Sequence, residues 1–436
     1  MTFPFFEYYL RLTGYPFRKA VAHFSALEKQ TPAAKKEASE KQRWAIVQYH
    51  LEHNEFYRNK LHGVLPTHWE SIPELTKGEL QLGLEALLSK PYTKHAVYIS
   101  STSGSTGTPF FYAKDKYSHA LTWALIASRY ASYGLRLNHL QARFYGIPRQ
   151  GFSAFKERMK DRIMNRHRFP VFDLSDATLQ QYLDVFKQKK FKYLYGYTNS
   201  ILLFCQYLIQ KKTRLIDVCP SLKCAIVTSE MCSAYDKGVI EKATGVPCVI
   251  EYGASEFGII SFQDKQGFQK VSDELLVVET NAKDEVLITS LFNKAFPLIR
   301  YNISDRCKLF YNELDELCVD ELLGRSDDLI QLPEGKVAAG LTMYYCSRKI
   351  LESFTGLKEI YFTQTQLDTF NLYYISDMVL NAAQQEIITD AFDTYLGTGL
   401  KVEFIHTHSI RRKANGKFQL FTSLLPPLKP ANSLAS

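Results

Sequence analysis

Between Gln141 and Gly253 the chain alternates short β-rich runs with helical ones, and no other feature restricts the fold as much. The β runs are RFYGI, KYLYGY, CAIVTSE and PCVIEYG, and the helical patterns fall near 177–190, 199–212 and 233–244. A strand that re-enters its sheet through a helix lies parallel to its predecessor, and the helices then cover both faces. The expected class is therefore α/β, a mixed sheet with helices. Ligands of such sheets sit beyond the carboxyl ends of the strands. Here those ends are the loops 196–200, 229–230 and 253–256.

The flanking regions read differently. A Thr31-Pro32 step, with Thr as N-cap and Pro as first helical residue, should open a charged helix reaching about Tyr57. Residues 95–100 and 110–113 are strand-like and enclose a Gly/Ser/Thr-rich stretch at 102–109; a helix to about Tyr133 follows. From Glu285 to Glu313 the composition is β-rich without helices (EVLITSLF, PLIRYNI, CKLFYN), which suggests a separate antiparallel subdomain. A boundary is expected at Gly324-Arg325, dividing a large domain of residues 1–324 from a small α+β domain of 325–436 with the order strand, strand, helix, strand.

A length of 436 residues calls for more than one ordinary core. The net charge of +8 is spread too thinly to single out nucleic acid as a partner and serves a nucleotide equally well. Eight cysteines (205, 219, 224, 232, 248, 307, 318, 346) form no Cys-x-x-Cys pair and no zinc-finger spacing, so they read as reduced thiols. The N-terminus MTFPFFEYYLRLTGYPF lacks the apolar core of a signal peptide, and no apolar run reaches membrane-spanning length. A cytoplasmic location is expected.

Five segments carry chemistry. TSGSTGTP (102–109) can bring glycine backbone close to phosphates and surround them with hydroxyl and amide donors; without a Gly-Lys-Ser/Thr ending it is no Walker loop. EYGASEFG (251–258) sets Tyr252, able to stack on a purine, beside Glu256, able to hold Mg²⁺ against phosphate oxygens. In RYNISD, Arg300, Tyr301 and Asp305 include an acceptor-only carboxylate suited to ribose hydroxyls. GRSDD (324–328) falls at the domain boundary, and RRKANGKF places Lys417 after an Asn-Gly turn. Taken singly, each is also an ordinary turn.

Together, in that order, the five resemble the adenylate-forming superfamily of acyl-CoA ligases, luciferases and peptide-synthetase adenylation domains. The length, YGASE and GRSDD look most like its phenylacetate-CoA ligase, coenzyme F390 synthetase and CapK-like branch. The resemblance spans roughly residues 95 to 420. It implies that Thr102, Ser103, Gly104, Ser105, Thr106 and Gly107 embrace the phosphates of ATP. Ser229 and Glu230 would border adenine, Tyr252 would stack on it, and Gly253 and Ser255 would line the nucleotide. Glu256 would bind Mg²⁺, Asp305 the ribose, and Arg325 the nucleotide. Asp327 would be a hinge, and Lys417 the catalytic lysine that enters the site for adenylation. Tyr145, Gly146, Tyr197, Thr198 and Ala254 would flank the acyl cavity, whose tyrosines suit an aromatic or medium-sized apolar acid.

The implied reaction activates a small carboxylic acid as an acyl-adenylate and passes it to the thiol of CoA or of a carrier-protein phosphopantetheine. Two like-charged groups meet when carboxylate attacks the α-phosphate, so a site of this kind needs concentrated positive charge. Two other readings stay open: transfer to an amine or hydroxyl in capsule or natural-product biosynthesis, and a non-catalytic nucleotide-binding member. A homodimer is left open as well. The sequence departs from the superfamily at Phe110, where many members have lysine, and after the hinge, where LIQLPEGKVAAGLTMYY lacks the Val-x-Pro-like continuation associated with thiol transfer. Finally, FKERMKDRIMNRHR (155–168) reads as a basic amphipathic helix, a solvated face or a dock for an acidic carrier or membrane. His406 and His408 share one strand face and read as core or surface histidines.

Overall fold

A computed structural model describes residues 5–101, 110–146, 152–325, 329–353, 356–410, 412–413 and 416–426 of the chain. Two compact units divide it, Met1–Leu322 and Leu323–Ser436.

In the first unit the strands are, in chain order, β1 (Tyr98–Ser101), β2 (Phe111–Lys114), β3 (Gln141–Phe144), β4 (Arg166–Phe169), β5 (Tyr193–Tyr197), β6 (Cys224–Thr228), β7 (Cys248–Ala254), β8 (Gly258–Gln263), β9 (Gln269–Val271), β10 (Leu276–Thr280), β11 (Glu285–Ser290), β12 (Tyr301–Tyr311) and β13 (Leu317–Arg325). β1 and β2 form an antiparallel pair on either side of 102–109. The other eleven make one sheet in the order β10-β11-β12-β13-β9-β8-β7-β6-β5-β3-β4. β4, β3, β5, β6 and β7 are mutually parallel, as the alternation requires. At β8 the chain reverses and pairs antiparallel with β7. The β-rich stretch expected to stand apart is thus antiparallel but continuous with the main sheet, because the turn after Ala254 returns the chain onto the open edge of β7.

Helix ends follow local chemistry. Thr31 caps Pro32–His53 by accepting from the Ala34 amide at 3.3 Å, and Asn54 stops that helix and caps Glu55–Lys60. Asp115 accepts from two amides of Lys116–Ser132, and Ser233 forms a capping box with Asp236 on Ala234–Thr244. One face of the parallel strands buries Ala142, Phe144, Phe169, Leu194, Ala225 and Val227 beneath the helices Asp176–Gln188, Thr198–Gln210 and Ala234–Thr244. Its opposite face packs Tyr193, Cys224, Ile226 and Val249 against Ala120, Leu121, Ala124 and Leu125 of Lys116–Ser132. Each fully buried Phe or Leu contributes roughly 1.5–3 kcal/mol.

The stretch 155–168 departs from expectation. Its helix ends at Ile163, and after a turn at Met164 and Asn165 the chain enters β4 at Arg166. Phe155 and Met159 face solvent, whereas Asp161 is buried and pairs with Arg168 of β4. Inward carboxylates satisfy the strand's guanidinium, and they outweigh the apolar stripe in setting the helix's rotation.

His50 ties the N-terminal helices to the sheet. It is fully buried, its Nδ1 lies 2.9 Å from Ser89 Oγ and its Nε2 3.0 Å from the Asn293 carbonyl, and burial pushes its pKa down to about 3. A histidine depressed below its unfolded value stabilises fully above about pH 6.5, and that stabilisation is lost as pH falls toward 3. Between pH 7 and pH 5 the wild type is expected to lose about 2 kcal/mol more than His50→Gln, read from urea unfolding at each pH; parallel pH profiles would refute the assignment.

In the second unit β14 (Leu329–Gln331) pairs with β15 (Val337–Ala339), and β16 (Leu357–Gln366), β17 (Thr369–Ser376), β18 (Lys401–His406) and β19 (Phe421–Ser423) form a sheet in the order β18-β17-β16-β19. Ile360, Phe362, Phe370 and Leu372 pack on Ile388 and Phe392 of the helix Ala382–Leu396 and on Met343 and Ile350 of Leu341–Ser353. The latter helix was absent from the sequence reading. His406 stacks on Tyr374 at 5.1 Å and reaches the Ser376 carbonyl at 3.0 Å, a packed position rather than a reactive one.

Among the described residues the eight cysteines are free, seven of them buried. No helix there is long and apolar enough to cross a membrane.

Candidate active site

The carboxyl ends of β3, β5, β6 and β7 point the same way, and the expected loops gather there. Tyr145 and Gly146 follow β3, Tyr197 ends β5 and leads into Thr198, Ser229 and Glu230 follow β6, and Gly253 and Ala254 close β7. Tyr145 and Tyr197 rings lie 4.1 Å apart, and the Tyr145 hydroxyl is 3.2 Å from Ser229 Oγ. Ser229 is exposed and takes a left-handed φ of 68°, uncommon for serine, which turns the chain sharply out of the sheet. Glu230 is tied down: its Oε2 accepts from the Asn199 amide at 2.8 Å and its carbonyl from Thr198 Oγ1 at 3.2 Å. The carboxylate therefore sits on the N-terminus of Thr198–Gln210, where the helix dipole favours it.

Two glycines make these turns possible. A Cβ on Gly196 would lie 2.4 Å from the Phe144 carbonyl oxygen, and one on Gly253 would lie 2.4 Å from that of Gly258. Gly253 and Ser255 are exposed, Ala254 is half-buried, and the Ser255 carbonyl accepts from the Tyr112 hydroxyl at 2.5 Å.

Across the sheet, the Tyr252 hydroxyl donates to Asp305 Oδ2 at 2.9 Å, joining the second and third sequence segments. Of RYNISD only Asp305 takes part. Arg300 turns away, its Nε on Glu279 at 2.5 Å and its Nη1 on the Glu70 and Ile72 carbonyls, and Tyr301 is buried against Phe110 at 5.8 Å. Arg300 clamps the N-terminal segment to the sheet. Its place in that motif is a coincidence of sequence.

Glu256 is buried, and the neighbouring charge is Lys114 of β2. Burial lowers the Lys114 ammonium to about 8 while the Glu256 carboxylate holds it up. The sequence reading did not include Lys114. It also missed a polar row beneath Tyr145. Arg143 stacks over Tyr145 at 4.3 Å and over Tyr195 at 4.9 Å, and Glu251 accepts from the Tyr195 hydroxyl at 2.7 Å and the Tyr130 hydroxyl at 3.2 Å. Burial holds the Glu251 carboxyl above its usual range. A signal for the row was available, since Arg143-x-Tyr145, Arg166-x-Arg168 and Tyr193-x-Tyr195-x-Tyr197 alternate polar groups along strands that a sheet of this class buries.

The stretch 102–107 and Asp327 lie outside the described residues. Arg325 ends β13 half-buried. Lys417 is half-buried at the end of a turn in which the Gly416 amide donates to the Lys413 carbonyl at 2.8 Å and the Lys413 amide to the Lys417 carbonyl at 3.1 Å. Just before it, Arg412 reaches Glu359 Oε1 at 2.5 Å and lies 5.3 Å over Phe418.

No family model matches the chain. Protein CapK of Staphylococcus aureus is 21% identical over 358 residues, 75% of each chain. Among solved structures, 2-hydroxyisobutyryl-CoA ligase in the postadenylation state in complex with 2-HIB-AMP aligns with a TM-score of 0.68 at 16% identity over 90% of each chain. The same ligase in complex with 2-HIB-AMP and CoA, in its thioesterification state, aligns with a TM-score of 0.54 at 17% identity over 90% of each chain. At these identities the likeness to the solved structures is one of fold.

Proposed function

We propose, from the premise that this chain has the fold of the adenylate-forming acyl-CoA ligases and resembles CapK, that it adenylates a carboxylic acid with ATP and hands the acyl group to a thiol. The observation that carries the reading is the Tyr252–Asp305 pair beside the exposed turns of Ser229 and Ser255, at the carboxyl ends of parallel strands. A carboxylate can accept several hydrogen bonds, and Asp305, which accepts one from the Tyr252 hydroxyl, is assigned to the two ribose hydroxyls. The Tyr252 ring, fixed by that bond, is the surface for adenine. Ser229 and Gly253 border the nucleotide with backbone, and Arg325, at the end of β13, is assigned to it.

Magnesium would enter with the triphosphate. Among the described residues no cluster of three or more His, Cys, Asp or Glu side chains could cage a metal. One carboxylate and the phosphate oxygens are what Mg²⁺ ordinarily uses, and Glu256 fits that part. The ion would neutralise phosphate charge. Lys114 already lies in the field of Glu256 and would hold the carboxylate ionised and oriented before nucleotide arrives.

In the proposed step the acid's carboxylate attacks the α-phosphorus, pyrophosphate leaves, and Lys417 meets the charge that concentrates on the phosphoryl oxygens. A thiolate, from CoA or a carrier's phosphopantetheine, then attacks the mixed anhydride and AMP leaves. The unit beginning at Leu323 is proposed to turn about Asp327 between the two half-reactions, withdrawing Lys417. ATP, CoA and reduced buried cysteines all suit the cytoplasm.

The test is acid-dependent exchange of labelled pyrophosphate into ATP over aryl, fatty and amino acids. Exchange that requires an acid is expected; nucleotide binding with no exchange for any acid would remove the proposal. Asp305→Ala is expected to raise the KM for ATP by about 10- to 100-fold, the worth of hydrogen bonds to a charged group. An unchanged KM would move the ribose elsewhere.

A further inference from the structure

In the polar row beneath Tyr145, two of three guanidiniums make no ion pair among the described residues. By register, Arg143 of β3 lies beside Arg168 of β4 and Tyr195 of β5, and Gln141 beside Arg166 and Tyr193, so all project from one face. Among the described residues only Arg168 of the three guanidiniums is paired, with Asp161 at 2.8 Å and Glu157 at 3.3 Å. Arg143 donates to a neutral partner, Gln141 Oε1 at 3.2 Å, and among the described residues no carboxylate lies within ion-pair reach of it. Its Nε is buried without a hydrogen-bond partner. Arg166 likewise makes no ion pair among the described residues, and burial together with the Arg143 charge holds it down to about 10.

Asp161, Glu157 and Glu251 lie in the electrostatic field of Arg143 without forming an ion pair with it. Asp161 is occupied by Arg168 through both oxygens, at 2.8 and 2.9 Å. Glu251 takes two tyrosine hydroxyls, and burial disfavours its charged form. A half-buried guanidinium that contacts no carboxylate is costly, and its planar fork matches an oxyanion through two parallel hydrogen bonds.

The location says whose oxyanion it is. Tyr145, on which Arg143 stacks, also touches Tyr197 and Ser229 of the proposed acyl cavity. An acid seated there directs its reacting carboxylate toward the nucleotide at β6 and β7, which leaves its far end toward β3 and β4. We propose that the acid carries a second oxyanion, and that Arg143, with Arg166 beside it, is the residue that selects it. This rests on the adenylation reading above and narrows its substrate class to doubly anionic acids on a flat or short spacer, fitting the tyrosine walls.

Pyrophosphate exchange with matched pairs tests it: butanoate against butanedioate, and benzoate against its 4-carboxy, 4-sulfo and 4-phosphono derivatives, the last three separating the kinds of oxyanion. The wild type is expected to prefer at least one doubly charged acid by about 100-fold or more in kcat/KM, because a site built for a polar group rejects the analogue lacking it. Arg143→Met should lower kcat/KM for the dianion by at least about tenfold more than for the monoacid, erasing the preference, and Arg143→Lys should restore part of it. Wild-type exchange with monoacids at equal or greater efficiency overturns the proposal and needs no variant. Equal loss on both acids in Arg143→Met, with Arg143→Lys no better, overturns the selecting role in favour of a structural one. Absence of exchange with every acid instead overturns the adenylation reading, and this proposal with it.

Discussion

Lys417→Ala is expected to lower acid-dependent pyrophosphate exchange by about 100- to 1,000-fold, the usual effect of removing one donor aimed at transition-state charge. The loop that bears the lysine is held from both sides. Gly416 adopts a φ of 81° and donates to the Lys413 carbonyl, which closes the turn, and Arg412 is anchored on the buried Glu359 and covered by Phe418. The backbone of the loop is thus ordered before the side chain docks, so docking costs the side chain's own rotamer entropy alone. Because the lysine acts on charge that appears only during phosphoryl transfer, affinity for ATP should change no more than a few-fold, and thioester formation from a supplied acyl-adenylate should persist. Measuring both half-reactions in one variant separates this from misfolding. Exchange at the wild-type rate would sink the assignment of Lys417; loss of both half-reactions would assign it a structural part.

Gly253→Ala should abolish exchange and cost about 2–4 kcal/mol of stability. The added Cβ would stand 2.4 Å from the Gly258 oxygen and 3.2 Å from its carbonyl carbon, both backbone atoms that cannot rotate aside. Relief requires opening the turn between β7 and β8, which carries Ser255 and Glu256. Gly238, inside the helix Ala234–Thr244, meets nothing within 4 Å of its Cβ position. Gly238→Ala should therefore stabilise by about 0.5–1 kcal/mol, since a helical glycine costs that much relative to alanine. Guanidinium unfolding of both variants decides the matter, and equal midpoints would show that the Gly253 turn yields.

Whatever depends on neighbours in the chain was legible in the residues. Thr31, Asn381 and Ser233 mark helix starts because a side-chain oxygen can reach an amide only two or three residues on. The alternation from Gln141 onward required parallel strands, and with them a shared carboxyl edge holding Tyr145, Tyr197, Ser229 and Gly253. Period-2 patterning also says which residues of a strand share a face. It does not say which strand lies alongside, since the ladder hydrogen bonds are identical whatever side chains they carry. For that reason the antiparallel strands read as a separate body although β8 pairs with β7, and Arg300 shares a motif with Asp305 although it is bound to Glu279. The same limit hid the Arg143 row. Three arginines spread over 26 residues of sequence are ordinary surface charges until two adjacent strands bring them onto one face, where among the described residues only one of them is ion-paired.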